Sequence, residues 1–564
     1  MATRAAALRH CRAMTTDQPA DLILRGGRIA TMDPARSWAT ALAVRGERIA
    51  AVGHDTDVAS VVGPSTRVIE LRGRTVTPGF QDAHVHPVHG GLGMLRCNLY
   101  EDAASGPGYD KIERYARTHP DEPWIRGGGW YMAAFEGGTP RREDLDRVVP
   151  DRPAFLTNRD GHGAWVNSKA LELAGVTADT PDPADGRIER DEDGTPSGTL
   201  HEGAMDLVTR LMPDDTPAEL EEALRLGQRH LHSFGITAWQ DAIVEPHAEE
   251  RAYVALANRG ELTARVVGAM WWDHHRGADQ IDEFVERRRT TSIGRYQATS
   301  VKLMMDGVLE NFTGAMLEPY LDRQGAVTDN RGLLQIDPDG LATWVPTLDA
   351  LGFQPHFHAI GDRAVRASLD AVEAARRANG LSDTRPHIAH IQVIHPDDLP
   401  RFRRLEVVAN AQPLWAGHED QMDVLIIPFI GDRWTWQYPF RSLRAAGAVI
   451  AMGSDWSVSS PNPIWEMHLA VERRNPIQFA GYRPVFLPEE RMDLIDALGA
   501  FTNGSAYVNH LDTETGTLEV GKLADLAVLD RDLFDRGAGP IMDARVVGTF
   551  VSGVPVFEDA ALDA

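Results

Sequence analysis

Apolar positions alternate with polar ones at both ends of the chain, while the middle shows a different rhythm. Residues 21–33 alternate, turn at Gly26-Gly27 and alternate again, and residues 41–53 repeat the device around Arg45-Gly46. Period-two alternation about a glycine-bearing pair is a hairpin pattern. The far end mirrors it, with short glycine-punctuated strands at 524–530 and 546–557. These ends predict a small composite β-sandwich, residues 20–78 plus 515–560, closed by both termini.

Between the ends, short apolar runs alternate with stretches of helical spacing, which is the signature of a parallel sheet. One helix is announced by Thr216-Pro217-Ala218-Glu219, an N-cap, a proline at N1 and a capping-box glutamate. Leu220, Leu224 and Leu231 then repeat on one face until Gly235. Another helix runs from Asp362 to Asn379, with Val365, Leu369 and Val372 in register before Gly380. Strands are predicted after the Pro78-Gly79 break and at 236–239, 264–270, 299–305, 353–358, 387–392, 407–412 and 448–453. That strand–helix alternation predicts an α/β fold, a (β/α)8 TIM-like barrel over residues 79–514, with its active site at the C-terminal strand ends. Residues 94–213 are rich in Gly, Pro and Asp without a regular period, and read as a large insertion after strand one over one end of the barrel.

The strand ends carry the candidate chemistry. His84 and His86 stand two apart, so both imidazoles share one face of strand one. Lys302 lies in strand four, His358 ends strand five, His390 falls in strand six, and Ser454-Asp455 follow strand eight. Imidazoles and a carboxylate converging on one rim are the usual nitrogen and oxygen ligands of a divalent metal. His356 shares a face with His358, so the residues alone leave strand five ambiguous.

Composition narrows the partners. The chain has 564 residues, with 57 Lys plus Arg against 82 Asp plus Glu and a net charge of -25. That balance opposes nucleic acid and anionic membranes, whose phosphates would be repelled. The expected partner is a small-molecule substrate, and a homodimer is left open. The only cysteines, Cys11 and Cys97, make no disulfide framework and suit a reducing cytoplasm. Residues 1–13 carry three arginines and no acid, and 1–19 is expected to be a disordered N-terminus rather than a targeting segment.

Six motifs carry a resemblance that covers nearly the whole chain: 78–86 (PGFQDAHVH), 160–171 (DGHGAWVNSKAL), 301–307 (VKLMMDG), 358–362 (HAIGD), 453–456 (GSDW) and 521–526 (GKLADL). They resemble the amidohydrolase superfamily, in the branch of amidohydrolase family 3 that includes N-substituted formamide deformylase. The resemblance implies a metal-dependent hydrolase acting on a non-peptide C–N bond, of amide or N-formyl type. It implies two divalent ions, zinc first and manganese or iron as alternatives. His84 and His86 match ligands of the buried ion, and His358 and His390 those of the more exposed one. Lys302 matches a carboxylated lysine that bridges both, since a free ammonium would be repelled by two dications. Asp455 matches the carboxylate that binds metal and shuttles the proton, and His162 is the candidate donor to the developing oxyanion.

Two positions depart from the pattern: Ala389 stands where relatives carry Glu, and Ser457 where they carry Pro. The first removes the expected support of His390. Trp130, Trp165, Trp271, Trp272, Trp415 and Trp456 fall in the insertion or after strands, and are read as lining a pocket for an apolar or aryl-bearing substrate, with packing as the competing role. Three other readings compete: a mononuclear deaminase, an ester or lactone hydrolase, and a non-catalytic metal-stabilised regulator, since one branch member has been labelled a regulator of exoenzyme production. His358 lacks the Glu close behind it that such a deaminase uses.

Overall fold

The computed structural model describes residues 18–100, 106–476 and 481–563. Most of the N-terminal stretch expected to be disordered, with Cys11, lies outside them. The chain forms two compact units, one drawing on both chain ends together with residues 231–237, the other holding residues 82–230 and 238–509.

The central sheet has eight strands: β1 Phe80–Val85, β2 Ile236–Val244, β3 Arg265–Trp271, β4 Tyr296–Met304, β5 Gln354–Ala359, β6 His387–His390, β7 Val408–Ala411 and β8 Ile450–Met452. Neighbours follow sequence order, and the ladders from β2 through β8 are parallel. The ring closes just past β8, where Asp455 N donates to His84 O at 2.7 Å and His86 N donates to Trp456 O at 2.8 Å. A helix intervenes between each successive pair, including Pro217–Ser233 before β2 and Asp362–Asn379 after β5. The result is a nearly closed parallel barrel of the TIM type. Strands β1, β5, β6 and β7 are buried at every position, as a parallel sheet covered on both faces requires.

Local signals behave as their chemistry dictates. Thr216 N donates to Glu219 Oε2 at 2.8 Å while Glu219 N donates to Thr216 Oγ1 at 3.2 Å, a reciprocal capping box. Leu220, Leu224 and Leu231 are buried, and Gly235 leaves the helix at φ +82°. Inside the barrel a polar chain replaces part of the apolar fill. His387 Nε2 donates to Gln240 Oε1 at 2.8 Å, Gln240 Nε2 donates to Gln354 Oε1 at 2.8 Å, and Asn410 Nδ2 donates to His387 Nδ1 at 3.1 Å. Each buried polar group there finds a partner, which removes most of its desolvation penalty.

Both ends of the chain enter one mixed sheet of eight strands. Its order is Val554–Glu558, Val546–Val551, Leu526–Leu529, Thr75–Pro78, Leu22–Ala30, Trp38–Arg45 and Arg48–Gly53, with Arg67–Glu70 paired beside Leu22–Ala30. The alternation places Leu22, Leu24, Leu42 and Val44 in one apolar cluster and Ile23, Ala41 and Ala43 in another.

The insertion is more regular than its sequence suggests. It holds a six-stranded sheet in the order Gly186–Arg190, Pro196–Glu202, Gly163–Val166, Ala154–Asn158, Ile125–Trp130 and Cys97–Asn98. Leu156 and Trp165 pack on one side, while Phe155, Ala164 and Val166 pack on the other. The glycines that read as coil permit close strand approach: a Cβ on Gly127 would lie 2.1 Å from Cys97 O, and one on Gly129 2.4 Å from Tyr100 N. Among the described residues no helix is long and apolar enough to cross a membrane.

Candidate metal centre

Strand ends deliver the candidate ligands to one rim. His84, near the end of β1, and His86, just beyond it, both turn Nε2 toward Asp455 Oδ1, at 3.2 and 3.0 Å. Asp455 follows β8 with φ +55°, a conformation that brings the carboxylate back over β1. Lys302 Nζ, from β4, lies 3.4 Å from His84 Nε2. The His390 ring, at the end of β6 with φ +74°, sits 4.6 Å from the His84 ring and 4.4 Å from that of His358. All six residues are thus neighbours, although they come from five strands.

The two histidines of β5 divide their roles. His356 Nε2 meets His84 Nδ1 at 2.8 Å, behind the ligand face, whereas His358 stands beside His390. Support comes largely from residues that the sequence reading did not single out. Asp82 accepts from His84 N at 3.0 Å and from Ser454 Oγ at 2.6 Å, which ties β1 to the turn after β8. Its place two residues before His84 on the same strand face was the available signal. Asp306 accepts from Ile360 N, Gly361 N and Ala315 N at 3.0, 2.9 and 2.8 Å, pinning the loop after β4 to β5. With Ala389 unable to brace it, His390 is held by Gln412, whose Oε1 accepts from His390 N at 2.7 Å, and by Trp415 stacked on its ring.

The electrostatics match a cation site. Burial drives the His84, His356 and His358 imidazoles well below their ordinary range, with neighbouring positive groups adding to the effect. Burial also brings His390 down to about 3 and Lys302 down to about 7, against the opposing pull of Asp455 on both. Burial alone would raise Asp455, but the His86 hydrogen bond and the charges of His390, His86 and Lys302 hold it below the usual carboxylate range. Neutral imidazoles beside an ionised carboxylate are the protonation states that ligate metal. The Nδ1 atoms of His86 and His390 are buried without a hydrogen-bond partner, and His84, His86 and Asp455 present donor atoms within 4.8 Å of one another. The residues therefore fit a divalent cation.

His162 arrives from the insertion. Its ring lies 5.3 Å from that of His358, and its Nδ1 is 3.0 Å from Glu202 Oε2. Burial opposes a charge on His162, but Glu202 overrides it and raises the imidazole to about 9. Glu202 is itself fixed by Thr313 Oγ1 at 2.7 Å and Asn311 Nδ2 at 3.3 Å. The tryptophans divide by environment. Trp130 and Trp165 are buried in the insertion core, and Trp272 packs on Trp344 and Phe284, so these three are structural. Trp456 covers Gly90 and the His230 ring, and Trp415 alone stacks on a candidate ligand.

Residues 67–557 match the amidohydrolase family, in the subgroup named Amidohydro_3. The chain belongs to the amidohydrolase family. It is accordingly a hydrolase. Among its relatives, Protein LONG AFTER FAR-RED 3 of Arabidopsis thaliana is 30% identical over 95% of this chain and 92% of that one. N-substituted formamide deformylase of Arthrobacter pascens is 29% identical, covering 96% of this chain and 99% of its own. An uncharacterized metal-dependent hydrolase from Pyrococcus furiosus superposes with a TM-score of 0.66 at 26% identity, over 91% of this chain and 99% of that one. The amidohydrolase barrel and the ligand-bearing rim thus occur together in this chain.

Proposed function

We propose that this amidohydrolase cleaves a non-peptide C–N bond, amide or N-formyl, of a small substrate bearing an apolar or aryl group. The observation that carries the reading is the convergence of His84, His86, Lys302, His358, His390 and Asp455 on one barrel rim. In this proposal His84 and His86 hold one divalent ion and His358 and His390 a second. Zinc is the first choice, with manganese and iron as alternatives. Lys302 is buried among them, and as a carbamate it would exchange a repelled ammonium for a carboxylate ligand. When bound, such ions supply a water of lowered pKa and polarise the substrate carbonyl.

The chain's own groups do the rest. Asp455, kept ionised by His86, takes a proton at its carboxylate and returns it to the leaving nitrogen. His162, held by Glu202, donates to the oxygen on which charge develops. Trp415, stacked on His390, supplies an apolar wall for the substrate. We read the mixed end sheet as the body of a composite sandwich of residues 20–78 plus 515–560, and the two cysteines of the sequence, with no disulfide framework, favour a cytoplasmic location.

The compact group of His84, His86 and Asp455 also favours a second reading, a single ion serving a deaminase or an ester or lactone hydrolase. Elemental analysis of the purified protein beside a Lys302→Ala variant separates them. An ion content that falls in the variant supports the bridged centre and leads to assays on N-formyl and N-acyl amines. An ion content indifferent to Lys302 overturns the two-ion reading, and a metal-free chain overturns both.

A further inference from the structure

A second cluster of metal-ligating side chains lies elsewhere on the same unit, and uses none of the residues above. Asp185 sits at the start of insertion strand Gly186–Arg190, and His274 and His275 lie in the loop after β3. His274 Nε2 is 3.2 Å and His275 Nε2 3.3 Å from the same oxygen, Asp185 Oδ2, and the two rings are 3.9 Å apart. Side chains of consecutive residues seldom face one point, and here both do.

Two explanations bear on these distances. Hydrogen bonds from nitrogen to oxygen centre on about 2.9 Å. Donors on a tetrahedral ion with bonds of about 2.0–2.1 Å stand about 3.3–3.4 Å apart. The observed 3.2 and 3.3 Å stand at the long limit of a hydrogen bond and close to the spacing that an ion imposes. One cation would satisfy the Asp185 oxygen and both imidazole nitrogens at once.

We propose that Asp185, His274 and His275 form a divalent-cation site of zinc type that clasps the insertion to the barrel rim. The supporting loops are built without the ion. Gln280, buried, accepts from Asp273 N at 2.9 Å and donates to Asp273 O and Gly277 O, both at 2.8 Å, fixing the turn that bears the histidines. On the other side Gly203 N donates to Asp185 O at 3.2 Å, and Gly186 pairs with Glu202 across the insertion ladder. Glu202 is the residue that holds His162, so a cation at Asp185 braces the strand end that presents that histidine. The clasp is independent of how many ions the barrel holds.

The test is a difference measurement on the full chain. Wild type, Asp185→Asn and His275→Ala are equilibrated with a small excess of zinc, freed of loose metal by gel filtration, and analysed for zinc per chain and for thermal midpoint with and without zinc. The proposal expects wild type to carry one zinc more than either variant, and its midpoint to rise further with zinc than theirs. His275 is largely exposed, so its variant retains the fold. Equal zinc content in all three proteins overturns the clasp and leaves a hydrogen-bonded triad, and a midpoint shift of the same size in all three overturns it as well. The count reads the clasp even if the barrel binds no metal, so its failure is distinct from that of the proposed hydrolase centre.

Discussion

The His390 imidazole lies flat on Trp415, with planes 14° from parallel and ring centroids 5.3 Å apart. Together with the Gln412 amide, this contact orients a candidate ligand whose neighbour Ala389 has no side chain to brace it. Replacing Gln412 with alanine strands a buried N–H, and Trp415→Ala frees the ring. Because outer partners of metal ligands typically contribute ~10–100-fold to affinity or activity, each variant is expected to lose that much kcat/KM. Steady-state kinetics with metal analysis checks it, and full activity in both would remove Gln412 and Trp415 from the site.

Trp165 separates packing from substrate recognition. It is buried beside Trp130, Phe135 and Tyr109, and its Nε1 donates to Arg141 O at 2.8 Å. Truncation to alanine should destabilise the insertion by ~3–5 kcal/mol. Trp165→Phe should leave the ranking of substrates unchanged while Trp415→Phe alters it. Chemical unfolding and a substrate panel read the two effects, and a changed ranking in Trp165→Phe would contradict the structural role.

Gly91 and Gly227 set how closely two helices approach. The helix Pro87–Leu95, capped by His86, crosses Pro217–Ser233 so tightly that a Cβ on Gly91 would lie 1.9 Å from Ala223 O, and one on Gly227 2.3 Å from Pro87 O. Backbone on the opposing side cannot yield as a flexible side chain can. Gly91→Ala and Gly227→Ala should therefore displace His86 and lower both metal content and thermal midpoint. Wild-type metal content in both would show that His86 is positioned independently of this crossing.

Glu189 provides a stability switch in acid. Burial alone would raise its carboxyl, but the His201 hydrogen bond and Arg187, whose Nη2 lies 2.6 Å away, bring it down to about 2. A depressed folded value means that the stabilisation is present above the unfolded value near 4.5 and is lost as pH falls toward about 2. Wild type should thus lose ~1–3 kcal/mol across that window through this group, and Glu189→Gln should be less stable at neutral pH with a flatter acid limb. Urea unfolding at stepped pH decides it, and parallel curves would exclude the linkage.

Much of the site was legible because its signals are local. His84 and His86 share a face by strand periodicity alone, and Thr216 with Glu219 announces a helix start within four residues. The insertion was illegible for the same reason. Its sheet is held by pairings such as Gly163 with His201 and by glycines whose value lies in what approaches them. The tryptophans misled in part, because an aromatic in a polar, glycine-rich stretch looks the same whether it fills a core or lines a pocket.

By itself the sequence determined the strand–helix alternation, the hairpin about Arg45-Gly46 and the types of donor at the strand ends, since each rests on neighbours a few positions apart. Gly26-Gly27, expected to turn, instead form an irregularity inside the single strand Leu22–Ala30, because that strand pairs with Trp38–Arg45 on both sides of them. Tertiary structure alone decided that His358 rather than His356 meets His390, that Gln412 and Trp415 hold His390, and that Glu202 holds His162 from 40 residues away. It also brought Asp185 to His274 and His275, 89 residues distant from the first of them. Those relations depend on how barrel closure and the insertion sheet bring remote backbone together, and no local periodicity encodes a distance across the fold.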